Sequence, residues 1–154
     1  MRYKYFFLVL LVLFSCKKEE GGDCGTQQTY FHFNLIDKKT DRNLAFGPAA
    51  VYKPEEMGLF ALTANGAKLY FEYRVINSVP VPHLLTSLDG TLTPNGTNNM
   101  YLQLSDGDID TLTFQFPVVN RVKGCNDYRL IDLKYNSTLV CTDCQSGTVF
   151  NFYK

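Results

Sequence analysis

The stretch Lys68-Leu69-Tyr70-Phe71-Glu72-Tyr73-Arg74-Val75-Ile76 alternates strictly. Leu69, Phe71, Tyr73 and Val75 fall on one side, and Lys68, Tyr70, Glu72 and Arg74 on the other. Period two is the signature of a strand, because successive side chains leave opposite faces of a pleated sheet. The same alternation recurs at 111–116, where Leu112, Phe114 and Phe116 oppose Thr111, Thr113 and Gln115. It recurs again at 129–135, where Ile131, Leu133 and Tyr135 oppose Leu130, Asp132 and Lys134. Further strands are predicted over 30–36, 49–52, 58–63, 100–104, 137–141 and 148–153, rich in aromatic and β-branched residues. From Thr29 onward no window of ten residues carries a helical period.

The punctuation agrees. Asn65-Gly66 between two strand-like runs predicts a type I′ hairpin, whose central residues need positive φ. Asp106-Gly107 separates two further runs, and Asp89-Gly90 and Asn95-Gly96 mark turns. Pro80, Pro82 and Pro94 argue against a central strand over 78–98. That stretch is predicted to be the longest loop, with one helical turn near Leu84–Leu88. Eight or nine short strands imply an all-β domain. It is expected to be a β-sandwich, Ig-like or jelly-roll-like, or a small barrel. One such domain over 29–154 accounts for the chain, and residues 28–154 are expected to fold alone into a strand-rich unit.

Composition narrows the class. The chain has 154 residues, 45% hydrophobic and 19% charged, with twelve Phe, ten Tyr and no Trp. A disordered chain would be poorer in apolar residues. Fifteen basic side chains balance fifteen acidic ones, which argues against a nucleic-acid partner.

The N-terminus carries an address. Arg2 and Lys4 precede an apolar run from Tyr5 to Phe14, the layout of a secretory signal and too short to span a bilayer. Leu13-Phe14-Ser15-Cys16 closes the run. This tetrapeptide resembles the lipobox of bacterial lipoproteins. The resemblance implies removal of residues 1–15, lipidation of Cys16, and a tether over 16–28. Several acyl chains on one residue make a stable membrane anchor. Lys17-Lys18-Glu19-Glu20 follows at once. Acidic residues close behind the lipidated cysteine resemble the export signals of surface lipoproteins of the Bacteroidota. The implied location is the outer membrane, facing outward, with the periplasmic face as the alternative. The opening 33–40 with Asn43-Leu44, and the ending from Asp110 through Cys125 and Tyr135-Asn136, also look like small Bacteroidota lipoproteins. That resemblance brings no site residue with it.

Four cysteines remain after lipidation: Cys24, Cys125, Cys141 and Cys144. An even count in an exported chain predicts disulfides, with three pairings open. A bond from Cys125 to Cys141 or Cys144 closes the larger loop and constrains the unfolded chain more than a Cys141–Cys144 ring. Cys125 is therefore expected to pair into the 141–144 segment, with Cys24 taking the other partner or staying free. Zinc, thiol-redox chemistry and free thiols are the competing readings. The redox reading lacks the helix N-terminus that activates such a pair.

No catalytic set is legible, and no cofactor is expected. Asp106, Asp108 and Asp110 alternate like the start of a calcium loop. Thr111 and Pro117 stand where that loop needs Gly and Glu. Asp110-Thr111-Leu112 resembles the O-glycosylation acceptor of the Bacteroidota, at Thr111. His32 reads as a strand residue and His83 as a loop residue without a partner. Glu55 and Glu56, being adjacent, diverge. Tyr70, Tyr73, Tyr101 and Tyr128 are candidate stacking rings for sugar. The expected function is a non-enzymatic envelope lipoprotein, a binding or structural module with a protein or glycan partner. The alternatives are a carbohydrate-binding accessory of a polysaccharide-uptake system and an envelope metal-binding or thiol-redox protein.

Overall fold

A computed structural model describes residues 30–87, 96–115, 118–122, 125–128, 130–145 and 147–154, with 118–122 and 125–128 described by backbone pairing. Twelve strands run in chain order through these residues: β1 Tyr30–Ile36, β2 Gly58–Leu62, β3 Lys68–Phe71, β4 Tyr73–Ile76, β5 His83–Ser87 and β6 Thr97–Ser105. They continue with β7 Asp108–Gln115, β8 Val118–Val122, β9 Cys125–Tyr128, β10 Asp132–Tyr135, β11 Thr138–Thr142 and β12 Val149–Tyr153. A 3-10 turn, Pro54–Glu56, precedes β2. A four-stranded sheet has the order β12-β1-β5-β4, and a six-stranded sheet the order β11-β10-β7-β6-β2-β3. β8 and β9 form a separate hairpin.

The two larger sheets pack as a β-sandwich. The rings of Phe31 on β1 and Phe114 on β7 meet edge to face at 5.3 Å across the interface. Those of Tyr135 on β10 and Phe152 on β12 stack at 4.7 Å. Around them lie Phe33, Leu35, Leu84, Met100, Leu102, Leu104, Leu112 and Leu133, all buried. Each comes from the inward half of an alternating strand, so pleat geometry and core composition coincide. Edge-to-face and offset rings add about 0.5–1.5 kcal/mol per pair beyond the area they bury.

The stretch 68–76 is not one strand. β3 pairs with β2 in the six-stranded sheet, and β4 pairs with β5 in the four-stranded one. The chain crosses between sheets at Glu72, whose carbonyl accepts the Thr86 hydroxyl at 2.8 Å. Alternation survives the corner. Phe71 lies beside Leu59, and Val75 beside Leu84, both core residues.

Three local expectations are corrected. The stretch 83–87 is a central strand, because Pro80, Pro82 and Pro94 flank it and leave every amide of His83–Ser87 free to pair. Residues 49–52 form no strand. Gly47 at φ +82° turns the chain, and the amides of Val51 and Tyr52 both donate to the Leu44 carbonyl. The 63–67 hairpin is not type I′. Only Gly66 has positive φ, at +80°, and the Gly66 amide donates to the Thr63 carbonyl at 2.9 Å. That is a type I turn closed by a left-handed glycine.

Candidate functional site

Three side-chain groups stand out from the core packing. The first lies at one end of the sandwich. Asp108 and Asp110, two apart on β7, project to the same side. Lys154, just past β12, reaches both, with Nζ 2.7 Å from Asp108 Oδ1 and 2.8 Å from Asp110 Oδ2. Asp110 is 5% exposed and also accepts from the Tyr135 hydroxyl and, at 2.6 Å, from Asn136 Nδ2. Tyr52 donates to Asp108 at 2.9 Å. Burial pulls the Lys154 ammonium down, but its two carboxylate partners outweigh that and hold its pKa above the usual lysine range. Burial raises Asp108, and the Lys154 and Tyr52 bonds overcome it, so Asp108 ionises below its usual range. Burial and then Asp110 push the Tyr135 phenol far up.

The calcium-like acids therefore serve a clamp tying β7, β10 and the residue after β12. Asp106 sits exposed in the hairpin turn instead. Thr111 lies beside Tyr101 on the outer side of β7, and its amide donates to Asn136 Oδ1 at 2.8 Å.

The second group is an aromatic row on the outer face of the six-stranded sheet. Tyr101, Phe60 and Tyr70 occupy the same register across β6, β2 and β3. Ring centroids are 5.3 Å apart for Phe60–Tyr101 and 5.6 Å for Phe60–Tyr70. Lys68 Nζ lies 4.3 Å from the Phe60 centroid. Phe60 is covered, whereas Tyr70 is 59% exposed. The structure thus brings together two of the four tyrosines marked in the sequence and separates a third. Tyr73 belongs to the other sheet, and its hydroxyl donates to the Pro54 and Met57 carbonyls. The Tyr128 side chain lies outside the described residues. Phe60 escaped the sequence reading because its neighbours are set by register across three strands, not by local spacing.

The third group is on the outer face of the four-stranded sheet. His32 Nδ1 and His83 Nε2 are 3.0 Å apart, joining β1 to β5. Burial first, and then the His83 ring, lower the His32 pKa. His83 therefore has a partner that the loop assignment hid. Farther along this face Tyr30, Glu72, Arg74, Leu85, Thr86 and Ser87 line a pocket of about 170 Å³. The Ser87 hydroxyl oxygen there is buried without a hydrogen-bond partner. A second pocket, about 360 Å³, is lined by Arg42, Asn43, Phe46, Pro48 and Ala49.

The cysteines answer differently from expectation. Cys141 and Cys144 are bonded to each other, with Cα atoms 5.6 Å apart. β11 ends at Thr142, and Asp143 takes φ +54° while its amide donates to the Ile131 carbonyl. This left-handed residue folds Cys144 back over the strand end and into the core, which makes the short ring reachable. Cys125 is thus not the partner of either. Its side chain lies outside the described residues, as do Cys24 and the Leu13–Cys16 segment. Among the described residues no group of three or more His, Cys, Asp or Glu is placed to hold a metal ion. Glu56 pairs with Lys53 at 2.6 Å.

These features define a β-sandwich with a polar end clamp, an aromatic row and a histidine pair. Compared with known proteins, the chain matches no family model, no curated protein and no solved structure.

Proposed function

We propose that this protein is a non-enzymatic lipoprotein of the bacterial outer membrane. Its β-sandwich would be carried outward on an acylated Cys16 and would act as a binding or structural module. The observation that carries the reading is the sequence Leu13-Phe14-Ser15-Cys16 behind a basic, apolar leader. A single sandwich behind a polar tether suits a module held near a membrane and free to reorient. Expressed with labelled palmitate, the wild-type chain takes up label and sediments with outer membranes. Cys16→Ala takes up none and leaves a soluble or uncleaved form. Label and membrane retention in the mutant would overturn the assignment.

A second reading, a carbohydrate-binding accessory, is favoured by the Tyr101–Phe60–Tyr70 row. An exposed phenol ring backed by a packed aromatic is a rigid surface on which an apolar sugar face rests, with Lys68 and Gln103 beside it to bond hydroxyls. Retardation on polysaccharide affinity gels tests it. Tyr70→Ala should lose most of the retardation without loss of folding, and equal retardation of mutant and wild type would remove the reading.

A further inference from the structure

We infer that His32 and His83 form a two-imidazole chelate for a divalent late transition metal, with copper(II) the best fit. His83 is 6% exposed, and its Nδ1 faces the Val81 carbonyl at 3.1 Å. A carbonyl only accepts, so in the neutral ring Nδ1 holds the proton and Nε2 keeps a lone pair. This is the support a metal-binding imidazole needs, since its other ring nitrogen is fixed by a backbone carbonyl. The lone pair points toward His32 Nδ1, 3.0 Å away. Two nitrogens in adjacent positions of a square-planar ion, with bonds of about 2.0–2.1 Å, stand about 2.9 Å apart. The pair is therefore already at the spacing of neighbouring ligands on such an ion. A tetrahedral ion would need about 3.3 Å, a small opening.

Without metal, His32 Nδ1–H donates to His83 Nε2. On binding, Nδ1 gives up that proton and Nε2 of the same ring takes one up, a tautomer shift relayed by solvent, so both rings coordinate as neutral imidazoles. No electron is transferred. His32 is only half-buried, so the ion has an approach from the outer face, and water completes its coordination. The ion's position is set by two adjacent strands, β1 and β5, held in antiparallel register. Titratable or charged groups on the same outer face are Tyr30 on β1, Arg74 on β4 and Tyr153 on β12, with Glu72 at the corner between sheets. Arg74 is in register with Leu85, which separates it from His32.

The chain has only these two histidines, which makes the test specific. The purified full-length chain, its free thiols alkylated, is titrated with cupric ion at pH 7.5 and followed by calorimetry and electron paramagnetic resonance. One copper per chain with hyperfine splitting from two imidazole nitrogens is expected. Affinity should fall at least tenfold at pH 5.5, where imidazole protons compete. His32→Ala should weaken binding at least tenfold and remove the imidazole splitting. His32→Gln should do the same while keeping a side-chain donor for His83 Nε2 and an unchanged far-ultraviolet spectrum, which separates ligation from folding. Copper bound without imidazole splitting, or equally by wild type and both variants, would overturn the assignment, as would no uptake at 100-fold excess.

Discussion

Replacing Asp110 with alanine should cost the sandwich about 3 kcal/mol. Asp110 is buried and accepts from three donors: Tyr135, Asn136 and Lys154. Its removal leaves the Tyr135 hydroxyl buried with no acceptor, at about 1–3 kcal/mol. The loss of the charge-assisted bond from Asn136 adds about 1 kcal/mol. The Lys154 share is small, about 0.5 kcal/mol, because that ammonium is a quarter exposed and keeps Asp108. Tyr135→Phe should cost only about 1 kcal/mol, since Asp110 then keeps two donors and no hydroxyl is stranded. The double variant should be milder than the sum of the two, with a coupling of about 1 kcal/mol or more. Urea unfolding followed by far-ultraviolet dichroism and tyrosine emission, in a chain without tryptophan, measures all three. An Asp110→Ala loss below about 0.5 kcal/mol, or strict additivity, would refute the clamp as a stabilising unit.

The same clamp sets the pH limits of stability. Lys154 has a folded pKa above its unfolded value near 10.4, so its contribution is complete below about pH 10.4 and is lost as pH rises through the folded value. Asp108 has a folded pKa below its unfolded value near 3.9, so its contribution is present above about pH 3.9 and lost as pH falls through the folded value. Lys154→Met should flatten the acid arm and part of the alkaline arm of melting temperature against pH. Tyr52 and Tyr135, both raised, would retain the rest of the alkaline arm. An unchanged profile would refute the assignment. Separately, digestion of unreduced protein should yield a peptide containing an internal Cys141–Cys144 bond. A peptide joining Cys125 to either would refute that pairing.

Much of the fold was legible because burial and pleat speak the same period. The boundaries of β1 were read without error, and β2, β7, β11 and β12 within a few residues. What escaped was set by distant partners. Nothing in the alternation of 68–76 marks a change of sheet, because the interior side of one sheet continues as the interior side of the other. The strand at 83–87 was masked by prolines that lie outside it. The acids of β7 were visible, but their partner Lys154 is more than forty residues away, and only β1–β12 pairing brings it there. The two histidines are separated by 51 residues and meet only because β1 lies beside β5. The Cys141–Cys144 ring turned on one left-handed residue, Asp143, a type that no spacing announces.

The placement of β1 has a mechanical consequence for a chain pulled from its N-terminal side. β1 is the first described strand and lies inside its sheet, with β12 parallel on one side and β5 antiparallel on the other. A load applied at Tyr30 and directed along the strand cannot peel β1 away one bond at a time, as it would an edge strand. It must shear both ladders together, five residue pairs against β12 and four against β5, while dragging Phe31, Phe33 and Leu35 out of the core. If Cys16 is the lipid anchor proposed above, traction on the chain would thus meet two ladders loaded in shear at the first described strand.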